Sequence, residues 1–289
     1  MSPARPDASS EKGAPGRGLR FSASSPLVTK ALDALEQGPL PADELARRVL
    51  DGTRAPAGGA GELVRELLLG EPRVVEGEDG RWRLASASSD APRGELSSLD
   101  YVVVDVETTG GSPRSGDRVT EIAAVQVSDG RVVGEFSSLV NPGRSIPPWI
   151  TRLTGISQAM VDDAPPFAEV AGLVRERMEG RIFVAHNAPF DWRFVRAEMR
   201  RACAMMPVGP RLCTLRLARK ALPGLRRKGL DAVTRHFGVE VEDRHRAAGD
   251  ALATADVLLR LLSEVDRQGV RDWSRLEAWL GGRAVGSGG

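Results

Sequence analysis

The chain has 289 residues, 41% hydrophobic and 27% charged, which is ordinary for a folded globular protein with room for a large domain and a small companion. The formal net charge of +1 singles out neither nucleic acid nor membrane as a partner. No apolar stretch is long enough to span a bilayer, and the N-terminus lacks the apolar core of a secretory signal, so the expected class is a cytoplasmic protein without membrane contact.

Residues 1–24 are rich in Ser, Pro, Gly and Ala and are expected to form a disordered tail. Between 25 and 85 the pattern becomes compact. Leu27, Ala31 and Leu35 recur at helical spacing, and Gly38-Pro39 then breaks the chain. Leu45 and Val49 mark a second helix, and Leu63, Val64, Leu67 and Leu68 a third beyond a Gly-rich loop around Gly58. Arg73–Val75 and Arg81–Leu84 flank a Gly77–Gly80 turn and read as a hairpin. Three helices and a hairpin resemble a winged helix, a module that contacts DNA, RNA or protein with about equal ease. Residues 86–98 form a second small-residue linker.

The catalytic region is expected over 99–266. Tyr101–Val106 is a nearly unbroken apolar run, as in a strand buried on both faces. Val119–Val127 and Arg131–Val140 are joined by Asp129-Gly130, a two-residue hairpin signal. Helical periodicity covers Phe167–Met178, a short strand Arg181–Ala185, and a helix Phe190–Ala202. Leu212 lies in another short strand, helices follow near Leu215–Ala221 and Leu230–Phe237, and the last long helix covers about Ala247–Val265. Hairpin strands followed by alternating strands and helices predict an α/β fold, a mixed sheet with helices on both faces. Residues 267–289 contain only a short amphipathic segment at Trp273–Leu280 and a Gly-rich end. The two cysteines, Cys203 and Cys213, have no second pair for a zinc site and are expected as reduced thiols. Between Arg193 and Arg235 only Glu198 and Asp231 oppose a long series of Arg and Lys, which reads either as solvated helix faces or as a surface for a polyanion.

Three blocks carry chemistry. Asp105-Val106-Glu107 ends the buried strand, and residues two apart share a face, so both carboxylates point the same way. Such neighbours repel unless a cation lies between them, although an acidic strand end facing water has the same spacing. His186-Asn187-Ala188-Pro189-Phe190-Asp191 leaves a strand and enters a helix, which places Asp191 beside the strand's C-terminal end, where ligands collect on open sheets. A helix-start acid favoured by the macrodipole is the plain alternative. In His245-Arg246-Ala247-Ala248-Gly249-Asp250, the histidine is expected in the loop before the helix, leaning over the same site as Asp250.

Together, in this order, the blocks resemble the DEDDh 3′→5′ exonucleases, among them the proofreading epsilon subunits of bacterial DNA polymerase III. Ile146-Pro147, Leu153-Thr154-Gly155-Ile156 and Ala164-Pro165-Pro166-Phe167 are similar to that family's connecting region. The resemblance implies a ribonuclease-H-like exonuclease fold on a mixed five-stranded sheet whose first three strands are antiparallel. It implies a catalytic set of Asp105, Glu107, Asp191, His245 and Asp250, with the four carboxylates as metal ligands. It also implies that Thr108, Thr109, Asn187 and Phe190 contact the terminal nucleotide. The chemistry is consistent. Four carboxylates suit two Mg²⁺ or Mn²⁺ ions about 4 Å apart, and an imidazole with an ordinary pKa near 6.5 suits a general base. Expected partners are single-stranded DNA 3′ ends, or RNA, with the N-terminal module offering a contact to DNA or protein. No peptide of the sliding-clamp-binding type is present, which favours repair over a dedicated replicative role. The same motifs also serve exoribonucleases, and a winged-helix regulator with an inactive exonuclease-like domain is the alternative from another class.

Overall fold

The computed structural model describes residues 18–23, 25–50, 59–69, 71, 73–84, 91–241 and 244–281. Residues 1–17 of the expected tail, the loop at 51–58, the linker through residue 90 and the Gly-rich end from 282 lie outside them.

The first element corrects the expected tail: Arg20–Ala23 is a strand, β1. It pairs antiparallel with a strand far along the chain, Arg20 opposite Val208 and Ala23 opposite Met205. Backbone pairing to a partner so distant satisfies groups that local composition leaves free.

The module follows as α1 (Pro26–Leu35), β2 (Leu40–Pro41), α2 (Ala42–Val49), α3 (Ala60–Leu68), β3 (Val74–Glu76) and β4 (Arg81–Leu84), its sheet ordered β2-β4-β3. This is the winged-helix-like arrangement the sequence predicts. Ser25 caps α1, its Oγ accepting from the Val28 N–H at 3.2 Å. The buried stripe of α1 is Val28, Ala31, Leu32 and Leu35, at i, i+3, i+4 and i+7. Leu27 and Leu63, which mark the helical spacing in the sequence, are 40% and 46% exposed, each one position off its helix's buried stripe. The module's core gathers Leu32, Leu45, Val64, Leu68 and Trp82, and it includes Met206 from the catalytic region.

The linker's end is pinned. In the 3₁₀ turn Leu96–Ser98, buried Leu96 donates its N–H to the Arg271 carbonyl at 2.7 Å, and its carbonyl accepts from the Tyr101 hydroxyl at 2.6 Å. Strands β5 (Tyr101–Thr108), β6 (Val119–Ser128) and β7 (Arg131–Leu139) form an antiparallel meander. Its hairpin turns at Asp129 and Gly130, with φ of 48° and 71°, as the paired positive-φ positions of a type I′ turn require. Next come α4 (Pro148–Thr154), α5 (Gln158–Asp162), α6 (Phe167–Met178), β8 (Ile182–Ala185), α7 (Ala188–Cys203), β9 (Met205–Val208), β10 (Arg211–Cys213), α8 (Thr214–Ala221), α9 (Leu230–Phe237), α10 (Ala247–Arg267) and α11 (Trp273–Gly281). The five-stranded sheet has the order β10-β8-β5-β6-β7, with β8 parallel to β5 and β10 parallel to β8.

Alternation along β5 divides the interior. Tyr101 and Val103 face a cluster with Leu217, Val233, Leu258 and Trp273, whereas Val102, Val104 and Val106 face one with Phe167, Val174, Phe194 and Met199. Asp105 and Glu107 continue the first row, on the face that α10 covers. Among the described residues, no helix is long and apolar enough to cross a membrane.

The module is docked on α7 and its neighbours. Arg196 of α7 reaches Asp33 at 3.1 Å and Glu36 at 2.6 Å, and Arg211 reaches Glu36 at 3.3 Å. Arg211 also lies over the Trp192 ring at 4.7 Å, and Trp192 is buried edge-on against Phe183 at 5.0 Å. The indole therefore packs and offers no stacking face to a ligand.

Candidate active site

The structure brings Asp105, Glu107 and Asp250 together: one carboxylate oxygen from each lies within 4.8 Å of the others. The first two come from neighbouring same-face positions of β5, the third from the first turn of α10. Asp191, in the first turn of α7, is buried beside them, and its Oδ1 accepts from the Val106 N–H at 3.2 Å. Burial pushes the Asp105 carboxyl up to about 8, reinforced by the charge of Asp250. Glu107 rises to about 8 through burial and the nearby Asp105. Asp191 is raised well above the ordinary range by burial and Asp105, and Asp250 is raised by burial against the opposing pull of Arg244. Negative charge is thus costly here, and a bound cation would offset that cost.

His245 lies in the loop before α10, as expected. Its φ of 64° is in the left-handed region, where a non-glycine residue is uncommon. Its side chain is exposed and its backbone N–H donates to Asp250 Oδ2 at 3.3 Å, which fixes the loop to the site. Asn187 also has a positive φ, 79°, at the start of α7 and is exposed. Phe190 is half-buried, 5.1 Å from Phe194, with the Arg193 guanidinium 4.8 Å from its ring centre.

The two threonines have partners within the protein. Buried Thr108 donates its hydroxyl to the Gly110 carbonyl at 2.7 Å, and buried Thr109 accepts from the Arg118 N–H at 3.0 Å. Their side chains shape the loop that follows β5. His186, in the second block, has Nδ1 2.9 Å from the Thr214 hydroxyl, and burial pushes its ring down to about 4, so it is a neutral structural group at physiological pH.

Three residues that matter escape sequence reasoning. Arg244 places Nη1 2.5 Å from both oxygens of Asp250 and its Nε against Asp231. Glu121, opposite Glu107 in the sheet and only 3% exposed, accepts from Arg246 Nη2 at 2.7 Å and from the Ala247 N–H at 2.9 Å, so it holds the start of the helix that carries Asp250. Glu198, buried on α7, accepts from Arg118 Nε at 2.7 Å and Nη2 at 2.9 Å, tying the Thr109 loop to the helix of Asp191. Of these only Glu121 stands out in the sequence, as a charged residue inside an otherwise apolar strand.

Residues 102–258 match the model of the Exonuclease (RNase_T) family. The chain belongs to this exonuclease family. Two curated relatives agree. It is 39% identical over 165 residues to the 3'-5' exonuclease DinG of Bacillus subtilis, and 42% identical over 194 residues to a DNA polymerase III subunit epsilon-like protein of Rhodobacter capsulatus. These matches take in 57% and 64% of this chain but only 18% and 26% of the two relatives, so what is shared is the exonuclease domain. Among solved structures, Escherichia coli exonuclease I with a dT13 oligonucleotide aligns at a TM-score of 0.53 and 19% identity, covering 62% of this chain and 46% of that one. That likeness shows the fold: the ribonuclease-H-like arrangement expected of a DEDDh exonuclease.

Proposed function

We propose that this exonuclease is a divalent-cation-dependent enzyme that releases nucleoside monophosphates from the 3′ ends of single-stranded DNA. The observation that carries the reading is the triangle of half-buried Asp105 and Glu107 and buried Asp250, whose carboxylate oxygens lie within 4.8 Å of one another. Their all-oxygen donor set, with Asp191 alongside, fits Mg²⁺ or Mn²⁺. Two such ions, when bound, supply a more acidic water and stabilise the leaving oxygen. The chain's own residues do the rest. Asp105, Glu107, Asp191 and Asp250 hold the ions, and His245 takes the proton of the attacking water at its imidazole. The water oxygen bonds to phosphorus, the bond to the 3′-oxygen breaks, and a 5′-monophosphate leaves a strand shortened by one nucleotide. Thr108, Thr109, Asn187 and Phe190 surround the terminal nucleotide.

The name of the Bacillus relative supports the 3′→5′ direction. We assign residues 99–266 to the exonuclease domain and 25–85 to the winged-helix-like companion, each with its own apolar cluster supporting the division. The test is digestion of 5′-labelled single-stranded DNA and RNA with Mg²⁺, Mn²⁺ or EDTA. A ladder shortening from the 3′ end of DNA only with metal is expected. Degradation in EDTA, or of RNA alone, defeats the reading.

A further inference from the structure

A cleft of about 380 Å³ runs between the N-terminal module and the exonuclease domain. One wall is a single face of α7, on which Pro189, Arg193, Arg196, Ala197 and Arg200 recur at i, i+4, i+7, i+8 and i+11. The loop Ser112–Arg114 flanks it, and Asp33 and Glu36 of α1 form the opposite wall.

The cleft starts at the loop that follows β5, the strand of Asp105 and Glu107. Pro189 and Phe190 immediately precede Asp191, and Arg193 donates from Nη2 to the Gly111 carbonyl at 2.8 Å, just past the end of β5. At 1.5 Å per helical residue, the face from Pro189 to Arg200 leads about 16 Å away from that point, a length spanned by about five phosphates at duplex spacing.

The charge balance favours an anion. Arg196 lies between Asp33 and Glu36 at 3.1 and 2.6 Å, and Arg211 adds a second cation on Glu36 at 3.3 Å, so the acids of α1 are already matched. Arg114, Arg193 and Arg200 are exposed on the same cleft and enter no ion pair among the described residues. The longer-range pull of Arg200 and Arg114 on Asp33 is outweighed by that carboxylate's burial. Arg114 and Arg200, exposed on one cleft, with Arg193 at its end where it also holds the Gly111 carbonyl and the Phe190 ring, suit a phosphodiester backbone, which needs charge at intervals and no base-specific donor.

We propose that this cleft is a strand-binding subsite: the single-stranded polynucleotide leading to the 3′ end runs along α7 over Arg193, Arg200 and Arg114, with α1 as its outer wall. The proposal rests on the exonuclease reading for its polarity, but binding can be measured without catalysis.

The experiment compares the full chain with R114A/R200A, both positions being exposed so that folding is spared. Fluorescence anisotropy in EDTA, over a salt series, reads affinity for labelled oligo(dT) and oligo(U) of 4 and 30 nucleotides. The wild type should bind the 30-mers at least tenfold more tightly than the 4-mers. The double variant should lose most of that advantage, and its slope of log K against log salt should fall by about 1.4, at 0.7 per single-strand phosphate contact. Equal loss for dT and U identifies the shared backbone as the ligand, and loss for one alone identifies which sugar the subsite serves. A length advantage or salt slope that R114A/R200A leaves intact overturns the proposal. A wild type that binds long strands in this way but cleaves nothing with Mg²⁺ would defeat the exonuclease reading and leave the subsite standing.

Discussion

Arg244 sits on Asp250, its Nη1 2.5 Å from both carboxylate oxygens, where a cation bound by Asp105, Glu107 and Asp250 would also draw on that carboxylate. The guanidinium and a metal ion therefore compete for one ligand. Arg244→Ala should bind Mn²⁺ several-fold more tightly, read by calorimetry or by the thermal shift at saturating metal. Without metal the variant should lose about 1–3 kcal/mol, because Asp250, with only 7% of its side chain exposed, loses the hydrogen-bonding partner that offsets its burial. Unchanged or weaker Mn²⁺ binding would show that Arg244 does not contend for the carboxylate.

The raised carboxyls set the sign of the pH dependence. Asp105 and Glu107 release protons near 8 in the folded protein and near 4 when unfolded, so the folded state holds more protons between those limits. Metal-free stability should fall as pH rises from about 4 to 8, and saturating Mn²⁺ should flatten or reverse the trend. Asp105→Asn removes one charge and should raise the metal-free Tm at pH 8, with about 2–4 °C for each kcal/mol gained in a domain of this size. Asp105→Ala and Asp250→Ala should each abolish cleavage. A metal-free Tm that climbs from pH 5 to 8 would contradict the assignment.

His245→Ala should lower turnover by about 10²- to 10⁴-fold while metal binding persists, because the proposed role of the imidazole is proton transfer and not ligation. The informative pair of measurements is single-turnover rate and Mn²⁺ affinity on the same sample. Loss of affinity as severe as in Asp105→Ala would recast His245 as a ligand.

The convergence of the three carboxylate-bearing blocks was legible because each joins a strand or helix end to a carboxylate at fixed spacing, and local pattern determines both. The β5–β7 meander was legible for the same reason, from an apolar run and an Asp-Gly turn. What escaped depends on pairs far apart in sequence. Arg244 and Arg246 sit in a stretch of mixed charge that reads as solvated, yet Arg244 turns onto Asp250 and Arg246 reaches Glu121 across the fold. Arg20–Ala23 has the composition of a tail, and only a partner at Met205–Val208 makes it a strand. Helices α4 and α5, at seven and five residues, are too short for periodicity to declare.

The docked module gives a fourth test. Arg196→Ala leaves Asp33 and Glu36 without their shared partner, at a cost of about 1–3 kcal/mol, and should expose the module first on heating or to protease. A chain starting at Asp90 should keep its turnover number on a four-nucleotide substrate, because no described residue before it contributes to the carboxylate cluster. It should be less stable, with Met206 stripped of its cover. Collapse of turnover on that short substrate would show that the module completes the catalytic centre.

The pairing of β1 with β9 has a consequence for the order of assembly. Most of the module's apolar cluster lies within residues 28–82 and can collapse early during synthesis, but Met206 and the partner of Arg20–Ala23 emerge only when residue 208 has been made. The clasp closes a loop over nearly the whole interval between residues 20 and 208. Closure entropy grows only logarithmically with that length, so the final state tolerates the long loop at little extra cost, while the contact must wait for the segment between to be in place. The N-terminal strand therefore pairs only after residue 208 has been made, and its protection from hydrogen exchange reports that long-range closure.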